Sequence, residues 1–578
     1  MPQSAPQSDP QHSLQGLIQA GQDVVQQFER ALSGGNVIAP SDIKWPAATP
    51  TSVTDLFDLQ RRYFEQMGQL WGSFLTPPGA ERKPVAAPAK GDNRFRDEAW
   101  QKDPYYDAVK QSYLIGAKFL YDFVEQANVD ERTKLQLRFY ARQFTAAISP
   151  SNFPVTNPEV IRTAIDARCE SLVSGLKNLM DDVQKGRISM TDESASEVGK
   201  NLAITPGEVI YENELIQLIQ YTPTTEQVEK RPLLLIPPCI NKFYILDLTP
   251  ANSFVRYAID QGHPVFLVSW RSADESIAHL TWDDYIEKGV VQAVDVVTNV
   301  SKADDVNILG FCVGGTLLGC AAAVMSARSD NRLASVTLLT TMLDFSDVGE
   351  IGIMVDENYV RTREATIGQG GILPGKELAF VFATLRANDL IWSYVVNNYL
   401  KGATPDAFHL LYWNSDSVNL PGPMYCWYIR HAYLENAIKD PGRTKQCGVP
   451  VDLSAIKVSV YLLAAREDHI VPWKTAYLAS NLLGGEVQFV LGASGHIAGV
   501  INPASRGERN YWVNPKLGIE PEDWLAEAQE IPGSWWPDWD RWLKERSTGT
   551  TAAPTKLGNK TYQPIEPAPG RSVKIRTA

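Results

Sequence analysis

A cysteine set between glycines is the clearest candidate for chemistry in this sequence. Residues 310–315 read GFCVGG, follow the apolar stretch Val306–Leu309 and precede a helix-forming run. At a strand-to-helix turn, this G-x-C-x-G spacing presents a nucleophile at a strained position, and the glycines lack the β-carbons that would clash there. The N-terminus of the following helix favours a thiolate. We therefore predict that Cys312 is a nucleophile. The alternative is a buried structural cysteine beside a glycine turn.

A histidine and an acid follow in the order that an α/β-hydrolase triad requires, which is nucleophile, acid, histidine. Asp468 comes after the candidate strand Val458–Leu463, and His496 comes after Val487–Leu491. Both lie where doubly wound sheets hold their chemistry, on loops at the carboxyl ends of strands. Cys312, Asp468 and His496 are therefore the predicted catalytic residues. A loop cap is the alternative role for Asp468, and a surface loop residue is the alternative for His496.

Two backbone amides are candidates for an oxyanion hole. The amide of Val313 directly follows the nucleophile, and a second donor is expected from the loop after an early strand. That loop begins after Pro232–Pro237 and contains Cys239 and Ile240. We predict that the Ile240 amide is the second donor. Cys239 is open to two interpretations, a packed thiol or a second nucleophile.

The pattern of elements predicts a helical N-terminal region followed by an α/β domain. Residues 1–95 are expected to be variable and partly disordered, with a linker at 77–92 rich in Pro, Ala and Lys, and 96–190 to form a helical domain. Within that domain, one helix is expected to begin at Asn157-Pro158 and to continue to about Gln184. Residues 191–578 then alternate apolar strands with helices, as a mainly parallel sheet covered by helices requires. A gap between two neighbouring strands, at about 343–454, is too long for a crossover and is interpreted as an inserted cap.

Composition and charge narrow the class of protein. The chain has 578 residues and a net charge of −13, which argues against a nucleic-acid binder. Its six cysteines form no C-x-x-C pair and fit no zinc template, so no metal site is expected. The polar N-terminus does not resemble a signal peptide, and no run of apolar residues is long enough to span a membrane. These features predict a cytoplasmic enzyme.

Several long motifs resemble those of the polyhydroxyalkanoate synthases, specifically the single-subunit class I type. They are PPCINKFYILD at 237–247, FLVSWR at 266–271, GFCVGG at 310–315, PGPMYCWY at 421–428, REDHIVPW at 466–473, GHIAGV at 495–500 and GSWWP at 533–537. The resemblance extends from about Asp97 to the C-terminus. It implies an α/β-hydrolase fold with Cys312 as the acyl carrier, His496 as the base and Asp468 as its carboxylate partner.

The activity implied by this resemblance is a polymerising acyl transfer. A (3R)-3-hydroxyacyl unit passes from its CoA thioester to a growing polyester, and CoA is released. Whether His496 or Asp468 deprotonates the incoming hydroxyl stays open, although a pKa near the working pH favours the histidine. Two other functions remain possible: a Cys-dependent thioesterase or dienelactone-type hydrolase, and a scaffold protein at the surface of storage granules.

The predicted cap also contains candidates for substrate contacts. Arg386, Tyr433 and Asn436 could contact CoA, and His469 could touch substrate, although surface or packing roles are open for each of them. No cofactor is expected beyond CoA, which is part of the substrate. The resemblance implies a homodimer at the granule surface, with the N-terminal region contacting polymer or granule-surface proteins.

Overall fold

The computed structural model describes residues 53–74 and 83–577. The chain divides into two compact units, one of Met1–Asp192 with Phe380–Asp406 and one of Glu193–Ala379 with Ala407–Ala578. Residues 380–406 belong to the predicted cap and are grouped with the helical N-terminal unit. Much of the predicted variable segment 1–95, and part of the linker 77–92, lies outside the described residues.

The first unit is helical. Among the residues described before 192, its helices of four residues or more are α1 Val53–Phe74, α2 Ala99–Lys102, α3 Pro104–Gln126, α4 Glu131–Ala147, α5 Pro158–Asp166 and α6 Glu170–Lys185. The start of α5 agrees with the sequence, because the Asn157 side chain accepts hydrogen bonds from the amides of Glu159 and Val160. The prediction of one helix from there to about Gln184 is wrong. Arg168 and Cys169 adopt positive φ angles of 49° and 67°, which end one helix and begin another.

The second unit is built around an eleven-stranded sheet. The strands of the described chain are β1 Gly207–Glu212, β2 Ile216–Tyr221, β3 Gln227–Glu229, β4 Leu233–Ile236, β5 Val265–Trp270, β6 Val306–Phe311, β7 Leu333–Leu339, β8 Ile372–Leu373, β9 Leu420–Pro421, β10 Lys445–Gln446, β11 Val449–Pro450, β12 Ser459–Ala465, β13 Val487–Gly492, β14 Asn510–Val513, β15 Gln529–Pro532, β16 Thr550–Ala552 and β17 Glu566–Pro567. Strands β3, β8, β9, β10, β11 and β16 pair outside the large sheet.

The large sheet has the order β15-β14-β13-β12-β7-β6-β4-β5-β2-β1-β17. Its centre, from β13 to β5, is parallel, and the strands on either side are antiparallel. The central strands are buried and almost entirely apolar, as a sheet covered on both faces requires. The predicted α/β-hydrolase fold with a mainly parallel centre is confirmed.

Helices and apolar clusters cover both faces of this sheet. The helices after residue 192 are α7 Phe254–Asp260, α8 Trp282–Asp284, α9 Gln292–Ser301, α10 Val313–Ala327, α11 Glu357–Thr366, α12 Gly375–Leu385, α13 His409–Ser415, α14 Gly422–Tyr428, α15 Trp473–Leu478, α16 Pro521–Ala526 and α17 Trp536–Lys544. One cluster contains α10, and the other contains the tryptophans of α17. Segments of π-helix occupy 285–291, 388–392, 395–400 and 429–434. No helix of the described residues is long and apolar enough to cross a membrane.

Candidate active site

Cys312 lies at the tip of a sharp turn between β6 and α10. Its backbone has φ 54° and ψ −128°, a strained conformation for a residue with a β-carbon. Its amide donates to the carbonyl of Leu339 on the neighbouring strand β7 at 2.9 Å, and its own carbonyl accepts from the amides of Gly315 and Thr316 at 2.8 and 3.2 Å. The turn is therefore fixed by the sheet on one side and by the helix on the other.

Two glycines permit this turn because backbone atoms occupy the space of their missing side chains. A β-carbon on Gly310 would lie 2.5 Å from the Cα of Gly315. A β-carbon on Gly314 would lie 2.5 Å from the carbonyl oxygens of both Ile236 and Pro237, at the end of β4. Neither contact can be relieved by turning a side chain. The spacing predicted from sequence is therefore a steric requirement of the elbow.

Asp468 and His496 approach each other because their strands are parallel neighbours. Ala465 of β12 pairs with Gly492 of β13, so the loops that follow leave the same edge of the sheet. The Nδ1 atom of His496 donates to Oδ2 of Asp468 at 2.6 Å. The other carboxylate oxygen of Asp468 accepts the amides of Ile470 and Val471 at 2.8 and 2.9 Å. The carboxylate thus fixes the tautomer and orientation of the imidazole.

The His496 ring also lies near the thiol of Cys312, which is among the causes of the shift in its pKa. Because Nδ1 is hydrogen-bonded to Asp468, Nε2 is the ring nitrogen available to Cys312. Burial alone would lower the pKa of His496, but the charges of Asp468 and Cys312 and the hydrogen bond to Asp468 raise it well above its usual value. The ring is additionally stacked on Phe311, with centroids 5.7 Å apart. The structure thus brings the three predicted catalytic residues together.

The predicted oxyanion donors lie on two segments in close contact. Val313 begins α10, whose first amides have no partner within the helix. The Gly314 backbone lies directly against the end of β4, where the loop containing Ile240 begins. The Nε1 atom of Trp270 fixes this loop by donating to the carbonyl of Pro237 at 2.9 Å. Cys239 in the same loop is buried, which raises the pKa of its thiol and makes it a poor nucleophile.

Two tyrosines, Tyr433 and Tyr428, lie near Cys312. Tyr433 lies in the π-helical segment 429–434; its pKa is raised first by burial and next by the charge of Cys312. Its ring is 5.4 Å from that of Tyr428 and 5.1 Å from that of Phe345, which follows β7. The pKa of Tyr428 is also raised, first by burial, then by Tyr433 and by the charge of Cys312. The three rings form an aromatic wall.

The remaining predicted substrate residues occupy different environments. The side chain of Asn436 donates to Asp344 Oδ1 at 2.8 Å and accepts the Phe345 amide at 2.7 Å, so it fixes the loop after β7. His469 is exposed beside Asp468. Arg386 is exposed in the first unit and pairs with Asp389 at 2.7 Å. Of these four candidates, Tyr433 is the one whose pKa is raised by the charge of Cys312.

Sequence reasoning missed the residues that fix the loop of His496. The Nε1 atom of Trp535 donates to the carbonyl of Gly499 at 3.0 Å, and that of Trp536 donates to Val500 at 2.9 Å. Both tryptophans are buried. Their distance along the chain from His496 gave no signal of this role. Within the described ranges, no group of three or more His, Cys, Asp or Glu could hold a metal ion.

Two family models match the chain. The model described as the N-terminus of poly-beta-hydroxybutyrate polymerase (PhaC) matches residues 91–258. The model described as the alpha/beta hydrolase fold matches residues 232–503, which include Cys312, Asp468 and His496.

Curated relatives match most of their own length as well as most of this chain. A poly(3-hydroxyalkanoate) polymerase subunit PhaC from Cupriavidus necator is 50% identical over 535 residues, which are 92% of this chain and 90% of that protein. The PhaC subunit from Rhizobium meliloti is 40% identical, with 89% and 86% of the two chains covered. A poly(3-hydroxyalkanoate) polymerase from Methylorubrum extorquens is 39% identical, with 98% and 94% covered.

Proposed function

The chain belongs to the poly(3-hydroxyalkanoate) polymerase (PhaC) family, and from this premise we propose that it is a polymerising acyltransferase. It adds (3R)-3-hydroxyacyl units from their CoA thioesters to a growing polyester and releases CoA. The observation that carries the proposal is the hydrogen bond of His496 to Asp468 beside Cys312, which lies at a strained elbow. That arrangement can activate a thiol for acyl transfer.

In the first step, the Cys312 thiolate attacks the thioester carbonyl of the substrate. A bond forms from Sγ to the acyl carbon, the bond to the CoA sulfur breaks, and the departing thiolate takes the proton held by His496. The amides of Val313 and Ile240 are placed to stabilise the oxyanion that forms between these events. Since one thioester replaces another, the acyl group remains activated for transfer.

In the second step, the acyl group passes to a hydroxyl. The 3-hydroxyl oxygen attacks the acyl carbon, the bond to Cys312 breaks, and the hydroxyl proton goes to a base. His496 is the base we propose, because Asp468 occupies its Nδ1 and leaves Nε2 to take the proton. Asp468 already accepts three hydrogen bonds, one from His496 and two from backbone amides, which supports a positioning role.

Water must be kept from the acyl-enzyme, since hydrolysis would end the chain as a free acid. The rings of Tyr428, Tyr433 and Phe345 lie close together beside the nucleophile and supply an apolar wall. Exclusion of water also strengthens the electrostatic contacts of the site. We propose that this wall favours transfer over hydrolysis.

The proposal extends to substrate contacts and partners. CoA is substrate and product, and we propose no separate cofactor. Arg386, Tyr433 and Asn436 remain our candidates for contacts to CoA, and His469 for a contact to substrate. We further propose a cytoplasmic homodimer at the granule surface. In support of the N-terminal region as the contact to polymer or granule-surface proteins, α6 exposes apolar side chains, namely Leu172, Val173, Leu176, Leu179, Met180 and Val183.

A Cys-dependent thioesterase is the second candidate, because it would use the same elbow and triad. The two functions differ in product. Purified protein should release CoA from (R)-3-hydroxybutyryl-CoA and deposit insoluble polyester, and Cys312→Ala should do neither. CoA release that yields only soluble 3-hydroxybutyrate would establish the thioesterase instead. An absence of CoA release from short and long monomers alike would leave the scaffold interpretation.

A further inference from the structure

A buried lysine lies at the end of the loop that contains Ile240. Lys242 is only 2% exposed, and its ammonium donates to the backbone carbonyl of Ile575 at 2.7 Å. Burial lowers the pKa of Lys242, and the nearby charge of Asp416 opposes that effect. A buried ammonium is costly unless it is hydrogen-bonded and paired. The contact with residue 575 is therefore a requirement for keeping Lys242 in place.

The segment 575–577 contacts residues 412–417, which lie beside this loop. The hydroxyl of Thr577 donates to the carbonyl of Ser417 at 3.0 Å. The guanidinium of Arg576 lies 4.6 Å from the ring of Tyr412 and pairs with Glu193 at 3.1 Å. The segment 575–577 thus connects Glu193 with residues 412–417.

Residues 412–417 also contact the loop that contains Ile240. The Nε1 atom of Trp413 donates to the carbonyl of Lys242 at 2.7 Å, and Asn241 forms an isolated antiparallel bridge with Ser417. Asp416 accepts a hydrogen bond from the hydroxyl of Tyr244 at 2.9 Å. The far end of the loop is fixed by the bond from Trp270 to Pro237. Ile240 therefore lies between two anchored ends.

We propose that Lys242 and the segment 575–577 form a latch that positions the Ile240 amide for oxyanion stabilisation. Lys242 is a positioning residue, since it acts through the loop and does not touch the reacting atoms. This inference rests on the proposed function, because it assigns the latch to the acylation step. Preorganised donors stabilise an oxyanion only when they are held in place before the reaction.

The test separates acylation of Cys312 from the reactivity of its thiol. In Lys242→Met, the first turnover of CoA release from (R)-3-hydroxybutyryl-CoA should slow by about 10- to 100-fold, approaching the loss of one oxyanion donor. Alkylation of Cys312 by iodoacetamide, followed by peptide mass, needs no oxyanion hole. Its rate and pH profile should remain those of the wild type. An unfolded chain would also be alkylated, but with the pH profile of a free thiol, so a wild-type pH profile shows that the variant is folded.

A chain that ends at Lys574 should reproduce this split, because it lacks the carbonyl that binds Lys242. Lys516→Met is the matched control, since Lys516 is exposed and pairs with Glu527 at 3.0 Å. It should change neither rate. Wild-type first turnover in Lys242→Met, or equal loss of acylation and alkylation, would overturn the latch. Failure of the wild type to release CoA would instead contradict the proposed function.

Discussion

The elbow of Cys312 and the loop of His496 position two partners of one site by different physical means. The elbow is fixed by exclusion, because backbone atoms fill the space beside Gly310 and Gly314. The His496 loop is fixed by attraction, through hydrogen bonds from Trp535 and Trp536 to its carbonyl oxygens. Steric exclusion is encoded by residues next to the nucleophile. The hydrogen bonds are encoded more than thirty residues away.

This difference teaches which constraints tolerate substitution. A β-carbon placed against a backbone carbonyl cannot be accommodated without moving a strand. A lost indole N–H leaves an unsatisfied carbonyl, which a small shift or a water can partly relieve. The elbow should therefore fail completely when it is altered, whereas the His496 loop should weaken by degrees.

The largest effect is expected from Gly314→Ala. Its β-carbon would lie 2.5 Å from two carbonyl oxygens, so we expect a loss of about 3 kcal/mol in the free energy of unfolding and no detectable polymerisation. Gly116→Ala in helix α3 is the control, because no atom of the described residues beyond its own turn of helix lies within 4 Å of the added β-carbon. Chemical denaturation and CoA release measure both variants. Wild-type activity in Gly314→Ala would refute exclusion as the means of positioning.

Asp468→Asn should reduce turnover by about 10³-fold while the protein stays folded, because the amide no longer fixes the imidazole. The charge of Asp468 raises the pKa of His496, so its removal should move the titration of the ring to lower pH. NMR titration of labelled His496 measures that shift. A titration that stays in place would mean that the charge does not govern the imidazole.

Trp535→Phe should destabilise the protein by about 1–3 kcal/mol, because it leaves the Gly499 carbonyl unpaired. Trp536→Phe should cost less, because the Val500 carbonyl still accepts the Asn502 amide at 3.1 Å. We expect turnover to fall by about tenfold because His496 is less well positioned. Trp539→Phe is the matched control: its Nε1 donates to Thr337 Oγ1 on β7 at 3.0 Å. It should lose stability without losing turnover. Equal turnover in all three variants would remove the tryptophans from the positioning of His496.

The smallest effect isolates the strain at the nucleophile. Both Cys312→Ala and Cys312→Gly abolish the thiol, but only alanine keeps a β-carbon at φ 54°. The glycine variant should therefore be more stable than the alanine variant by about 1 kcal/mol. Thermal unfolding of the pair gives the difference. Greater stability of the alanine variant would show that the elbow is not strained.

The sequence predicted the parts of the site that depend on neighbours in the chain. The apolar runs at β4, β6, β12 and β13 predicted strands whose following loops leave one edge of the sheet. Cys312, Asp468 and His496 could therefore be chosen from those loops. The strands after β13 were not predicted, because short, partly exposed strands at a sheet edge have a weak apolar pattern.

Other features depend on contacts between distant residues and left no local trace. The break between α5 and α6 at Cys169 follows from two positive φ angles at residues that do not favour them. Tyr433 approaches Cys312 from a π-helical segment, and π-helix has no distinct periodicity in sequence. The bond from Lys242 to Ile575 joins residues 333 positions apart.

The most direct measurement is the mass of the peptide that contains Cys312 after a brief reaction with (R)-3-hydroxybutyryl-CoA and an acid quench. An acyl group should be bound to Cys312 as a thioester that hydroxylamine removes, and Asp468→Asn should form it more slowly. Release of CoA with Cys312 unmodified, and with the acyl group on Cys239 or any other residue, would contradict the assignment of Cys312 as the nucleophile.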